Sequence, residues 1–141
     1  MIYKAIQGLP QAHAKIKGSK KYPDIRGNVY LYEVYNGTVL LGELMGIPEE
    51  LEKKYGGFFG FHIHEGNVCT GDSQDPFADT KGHYNPEKEE HPRHAGDLPP
   101  VLSNDGTAWM EIYTGRFYPM DVVGRTIVLH EMLDDFKTQP S

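Results

Sequence analysis

The sequence predicts an all-β domain, a sandwich or barrel whose long loops carry the chemistry. Three observations predict it: short runs rich in β-branched and aromatic residues, turn signals between them, and one long polar excursion without apolar periodicity. The clearest run is NVYLYEVY over 28–35, followed by Asn36-Gly37 and then TVLLGEL. Asn and Gly tolerate the positive φ of a two-residue type I′ turn, so these runs predict a hairpin. Upstream, AHAKIKG alternates small or apolar residues with polar ones, the pattern of a strand with one wet face. Further strands are predicted at GFFGFHIHE, at TAWMEIY after the turn Asn104-Asp105-Gly106, and at RTIVLHE. Only PEELEKKYG reads as briefly helical.

With 141 residues the chain has the size of one domain, 1–141, and can bury a core without disulfides. A net charge of −6 argues against nucleic acid or an anionic membrane as partner, because either calls for a clustered basic face. The opening MIYKAIQGLP is too broken by Lys4, Gln7 and Pro10 to be an export signal, and no membrane span is visible. A cytoplasmic location is the expectation; the alternative is export with a signal already removed. Cys69 is the only cysteine, so it forms no disulfide within these residues, and a lone thiol fits a reducing compartment.

Between Glu65 and Pro100 the composition turns to Gly, Pro, Asp, Asn and charged residues. Ordering a loop of that length costs conformational entropy that something must offset, and a metal ion can do so. The histidines point the same way, since six of the seven lie between positions 62 and 130. His62 and His64 stand at i and i+2 of a strand, so both imidazoles leave one face about 7 Å apart at Cα, close enough to share an ion. The loop adds His83, His91, His94 and Asp97 in GHYNPEKEEHPRHAGDL, and three nitrogens with one oxygen satisfy tetrahedral zinc. His130, at the end of RTIVLHE, offers one more nitrogen to the His62/His64 ion. Imidazoles suit zinc and copper better than magnesium or calcium, and the ligand count fits two metals better than one. His13 stands apart and reads as an ordinary histidine.

In order and spacing, GFHIHE, GNVCTGD, GHYNP, HAGDL and GRTIVLHEMLDD resemble the successive motifs of the copper/zinc superoxide dismutase family. The resemblance implies a flattened Greek-key β-barrel or sandwich with long metal-binding and electrostatic loops. It also implies disproportionation of superoxide, with copper held by His62, His64, His83 and His130, and zinc by His83, His91, His94 and Asp97. His83 would then be the bridging imidazolate and the catalytic proton carrier, since a bridging nitrogen is basic once one metal lets go. Asp134 matches the carboxylate that links a copper histidine to a zinc histidine, and Lys137 lies where the family keeps charges that guide substrate. A homodimer would match the family's habit.

The 141 residues end at DDFKTQPS, where the family continues into a Gly/Asn-rich turn, an arginine above the copper, a cysteine and a final strand. The expected fold therefore lacks its last strand, Cys69 lacks its disulfide partner, and Arg125 belongs to a different motif from the missing arginine. Loss of such a disulfide costs about 2 to 5 kcal/mol in small domains, and loss of the arginine weakens the attraction of an anion. The rival expectation is therefore a copper/zinc store or degenerate relative with little activity. A cupin-like mononuclear enzyme fits less well, because Glu65 directly follows His64 and the HAGDL cluster would stand idle. A His-x-His-x-Asp-His hydrolase fails at position 66, which is Gly.

Overall fold

In the computed structural model, residues 2–136 are described. They form two compact units, one of the residues up to Phe58 together with Val101–Val123, the other of Phe59–Pro100 together with the chain from Gly124 on. The first unit carries α1 (Ile2–Ala5), β1 (Ala12–Lys17), β2 (Arg26–Val34), β3 (Gly37–Met45), α2 (Glu49–Tyr55), β6 (Val101–Asn104) and β7 (Thr107–Thr114). The second carries β5 (Phe61–His64) and β8 (Thr126–Leu129), and β4 (Phe58–Phe59) falls at the boundary.

The hairpin foreseen at Asn-Gly and the turn foreseen at Asp-Gly both exist, and the second also closes a hairpin, but the two turn differently. Asn104 pairs with Thr107, and the loop residues Asp105 and Gly106 have φ of 51° and 81°, the two positive values a type I′ turn needs. In the first hairpin Val34 pairs with Gly37, so the loop is Tyr35-Asn36, with positive φ on Tyr35. Gly37 is already in β3, one residue from its expected place. The shift is imposed across the sheet: Thr38 pairs with Thr114 and its hydroxyl donates to the Phe117 carbonyl at 2.8 Å.

The order β1-β2-β3-β7-β6-β4 is antiparallel wherever its register is known, and Val29, Leu31, Leu40, Leu44 and Val101 are buried in it. Tyr32, Val34 and Val39 are buried as well, packed by Ile2, Ala5 and Ile6, so the opening segment is a short helix followed by a turn that covers apolar side chains. Helix α2 forms where PEELEKKYG predicts it, with Glu49, Glu50 and Glu52 in its first turn and Lys53 and Lys54 in its last, complementing the helix dipole. Gly56, at φ 69°, ends it. Glu52 accepts from the Gly106 N–H at 2.7 Å and from the Ser103 hydroxyl, tying α2 to the β6–β7 turn.

The flattened Greek-key barrel lacking a last strand, expected from the sequence, is corrected by this topology. The strands form two antiparallel sheets, one of six and one of two, and neither closes. A barrel needs one continuous ladder whose end strands pair. Here the six-strand ladder ends at β1 and at the two-residue β4, and β5, next in sequence, pairs with β8. The single strand predicted at GFFGFHIHE is split at Gly60, whose N–H donates to the Met132 carbonyl at 3.0 Å while its own carbonyl accepts from His130 at 2.9 Å. β6 was not foreseen, because VLSN is short and follows a Pro-Pro pair.

Candidate metal centre

Strand β5 is buried at all four positions, FHIH, because β8 pairs with one of its edges and the long loop is stitched to the other. Tyr84 N–H donates to the Ile63 carbonyl at 2.8 Å, Ile63 N–H to Gly96 at 2.9 Å, and Gly96 N–H to Tyr84 at 2.9 Å. These bonds set His83 opposite His64 and Asp97 opposite His62. Gly96 is required by the closeness of the backbones, since a Cβ there would stand 2.3 Å from the Ile63 carbonyl oxygen. Ligand-type residues 19 and 35 positions apart thus become neighbours through main-chain bonds.

Two groups of donors result. His62, His64, His83 and His130 each offer one nitrogen, all within 4.8 Å of one another, and so do His62, His83, His91 and Asp97 with a carboxylate oxygen. His94 also reaches the second group, its Nδ1 3.2 Å from His83 Nδ1 and 3.1 Å from Asp97 Oδ2. By distance His62 and His83 both belong to both groups, but their bonding separates them. His62 donates Nε2–H to Asp134 Oδ2 at 2.6 Å and keeps only Nδ1 for an ion. His83 sets Nδ1 2.6 Å from Asp97 Oδ1, so Nε2 is the nitrogen it offers to the other group. One imidazole with a nitrogen on each side is the geometry of a bridge.

The tautomers these bonds imply leave lone pairs suited to a cation. With Nε2–H given to Asp134, His62 Nδ1 is a bare lone pair, buried and without a hydrogen-bond partner among the described residues. His91 likewise donates Nε2–H to Asp134 Oδ1 at 2.8 Å, which turns its Nδ1 toward Asp97 Oδ2 at 3.0 Å. His64 donates Nδ1–H to the Lys81 carbonyl at 2.8 Å and points Nε2 at His130 Nε2, 3.3 Å away. Lone pairs facing each other or a carboxylate repel unless a proton or a metal ion lies between them. The donor set therefore fits two ions, one among imidazoles alone and one among imidazoles and a carboxylate.

The electrostatics keep these nitrogens available. Burial, helped by nearby His83, lowers His62 to about 4 against the pull of its Asp134 bond. Burial and the neighbouring His62, His64 and His83 lower His130 to about 3, and burial lowers His64 despite its bond to Lys81. Burial pushes the Asp97 carboxyl upward, but the His83 bond and the surrounding imidazoles outweigh it and hold the acid below its ordinary value. Asp134 ends below its ordinary value for the same reason, burial being overcome by its bonds from His91, the Phe136 N–H and His62.

A clamp that the sequence reading missed holds the loop beside this centre. Glu65 Oε2 accepts from Arg125 Nη1 at 2.7 Å, and its Oε1 accepts from the Asn85 N–H at 3.0 Å. The Arg125 guanidinium also lies 4.3 Å over the Tyr84 ring. One carboxylate therefore joins the end of β5, the segment after His83 and the start of β8. The only sequence signal for it was a carboxylate directly after the His-x-His pair.

The structure brings together His62, His64, His83, His91, His94, Asp97, His130 and Asp134. Lys137 lies outside the described residues. Cys69 is exposed and free, and His13 belongs to the other unit, bonded to Asn28 at 3.0 Å and stacked on Tyr30. A family model described as copper/zinc superoxide dismutase (SODC) matches residues 25–141. An extracellular superoxide dismutase (Cu-Zn) of Brugia pahangi is 29% identical over 122 residues, covering 79% of this chain and 56% of that protein. The chain thus spans about half the length of that curated relative.

Proposed function

Because this chain belongs to the copper/zinc superoxide dismutase family, we propose that it disproportionates superoxide to dioxygen and hydrogen peroxide. His62, His64, His83 and His130 would hold copper, and His83, His91, His94 and Asp97 would hold zinc. The observation that carries the reading is the placement of His83, with Nδ1 against Asp97 and membership of the four-histidine group as well. Bound copper supplies a one-electron couple that can accept an electron from one superoxide and return one to the next, while zinc supplies charge without redox.

The chain's own residues do the rest. His83 Nε2 is the atom at which a proton for peroxide would be held, and Asp97 steadies its ring from the other nitrogen. Asp134 fixes the His62 and His91 tautomers by accepting from Nε2 of each, so that both present Nδ1. The Lys81 carbonyl does the same for His64, which presents Nε2. His94 would take the zinc place that distance alone would give His62, since His62 has one nitrogen left and would use it in the four-histidine group.

The test is metal titration of the chain followed by superoxide consumption. Uptake of two ions per chain, with consumption well above that of an equal amount of free copper, is the expected result. Two ions bound without that excess would favour a metal-holding relative, and one ion only would remove the bridge.

A further inference from the structure

We propose that Asn85 is a positioning residue of this centre, fastening the segment that leads into His91 to the segment that leaves His83. The inference rests on the two-ion reading of the centre and adds to it the residue that arranges the ligands of the second ion before that ion binds.

One residue, directly after β5, holds the main chain of His83 from both sides. Glu65 N–H donates to the Gly82 carbonyl at 2.8 Å, and Glu65 Oε1 accepts from the Asn85 N–H at 3.0 Å. From there toward His91 the chain is exposed at every residue of 86–90, so no buried side chain fastens it. Asn85 does so instead. Its Nδ2–H donates to the Glu89 carbonyl at 2.8 Å, its Oδ1 accepts from the Glu89 N–H at 2.9 Å, and its own carbonyl accepts from the Lys88 N–H at 3.3 Å. A side-chain amide offers a donor and an acceptor on one planar group, so it can answer both main-chain groups of one residue. Glu65, Asn85 and Glu89 thus form a chain of bonds that starts beside His64, passes His83 and ends two residues before His91.

Ordering a backbone segment costs conformational entropy, and burial offsets none of it where every side chain is exposed. A loose 86–90 segment would add that cost to the binding of whichever ion His91 holds. The bonds of Asn85 to Glu89 meet it in advance, and a preorganised ligand set binds more tightly. The four-histidine group does not share this dependence. His62 and His64 lie in β5, His130 directly follows β8, and His83 is bracketed by Glu65 and by the Tyr84 N–H bond to Ile63 at 2.8 Å. Asn85 therefore acts on the group that includes His91 and Asp97, and on the other only through His83.

Asn85→Ala keeps the main-chain bonds to Glu65 and Lys88 and loses both side-chain bonds to Glu89, while Asn85→Asp keeps the oxygen that accepts from the Glu89 N–H. Buffered zinc is titrated into the copper-loaded wild type and both variants, and its uptake is read from the change it causes in the copper visible spectrum through the shared His83. Copper affinity is read separately, by competition with a chelator. Asn85→Ala is expected to need about five- to tenfold more free zinc for half the spectral change, the scale of one or two net hydrogen bonds, with copper affinity unchanged and Asn85→Asp between Ala and wild type. Equal zinc requirements in wild type and Asn85→Ala would overturn the proposal. So would a parallel loss of copper and zinc affinity, since the residue would then support the whole unit rather than His91. An Asp variant as weak as the Ala variant would overturn it too, because the bonds to Glu89 would not be what acts. A wild-type copper spectrum indifferent to zinc would remove the bridge and the proposal with it. Should the loaded wild type consume superoxide no faster than free copper, the dismutase reading fails while the zinc comparison still decides the role of Asn85.

Discussion

The two units of this chain are held together by different physics. The larger sheet is an apolar structure: Val29, Val39, Leu40, Leu44 and Val101 are almost wholly buried and the β2–β3 ladder runs for nine residue pairs. The unit of β5 and β8 has a four-pair ladder, and its buried side chains include His62, His64, His83, His91, His94 and Asp134 beside Phe61, Ile63 and Leu98. Burying an apolar side chain stabilises by about 1.5–3 kcal/mol whatever else is bound. Burying imidazoles and carboxylates stabilises only when every lone pair is answered, and His62 Nδ1 is not. One unit carries its stability in its own side chains, and the other leaves a buried lone pair that a bound ion would answer.

Removing metal should separate them most. Binding free energies of structural zinc reach roughly 10 kcal/mol or more, and that stabilisation belongs to the loop that supplies the ligands. Hydrogen exchange on metal-loaded and chelated protein should show Ile63, Tyr84, Gly96 and His130 amides losing protection, while Val39 and Leu40 keep theirs. Simultaneous loss in both units would break the comparison. Leu40→Ala probes the other side: a side chain with no exposure should cost about 2–5 kcal/mol in denaturant melts while leaving the number of metals bound unchanged. A change in metal stoichiometry would show that the units are not separable in this way.

Asp134→Asn sharpens the contrast at one atom. It removes the carboxylate that accepts from both His62 and His91, and metal affinity should fall about 10- to 100-fold in competition with a chelator. An unchanged affinity would leave Asp134 a spectator.

Acid should act next, and on the second unit. In the metal-free protein His62 and His130 are lowered to about 4 and about 3, and His64 is lowered too, so the unfolded chain binds more protons than the folded one below the ordinary histidine value of 6.5. Their contribution is therefore fully present above 6.5 and is lost as pH falls from there toward 3. Asp97 and Asp134, held below their ordinary 3.8, add a loss in the same direction only below that value. Melting of the metal-free protein between pH 8 and 4 should show a flat region above about 7 and a decline below it; a Tm that rises on acidification would contradict the burial described. The smallest effect is expected from Arg125→Ala, since its pair with Glu65 is about one-third exposed: no more than about 1 kcal/mol, read by thermal melts.

Much of this was legible from local pattern. Alternation in AHAKIKG marked β1, the β-branched and aromatic runs NVYLYEVY and TVLLGEL marked β2 and β3, and the Asp105-Gly106 pair marked its turn. The i, i+2 spacing of His62 and His64 put both on one face, and the histidine-rich loop supplied the remaining donors. The Asn-Gly signal was right about a hairpin and wrong about its loop, because the pairing of β3 with β7 decided the register. The Glu65–Arg125–Asn85 clamp left almost no local trace, since the partners are up to sixty positions apart.

By itself, then, the sequence determined which segments extend, which face each side chain takes, and which residue types are offered to a metal, because these depend on neighbours two to four positions away. Tertiary structure alone decided that the strands form sheets of six and two rather than a closed barrel, that GFFGFHIHE divides at Gly60, and that Glu65 meets Arg125 and Asn85. Those outcomes depend on main-chain hydrogen bonds between distant segments, and a backbone N–H or carbonyl carries the same chemistry at every residue, so no side-chain pattern announces which of them will meet.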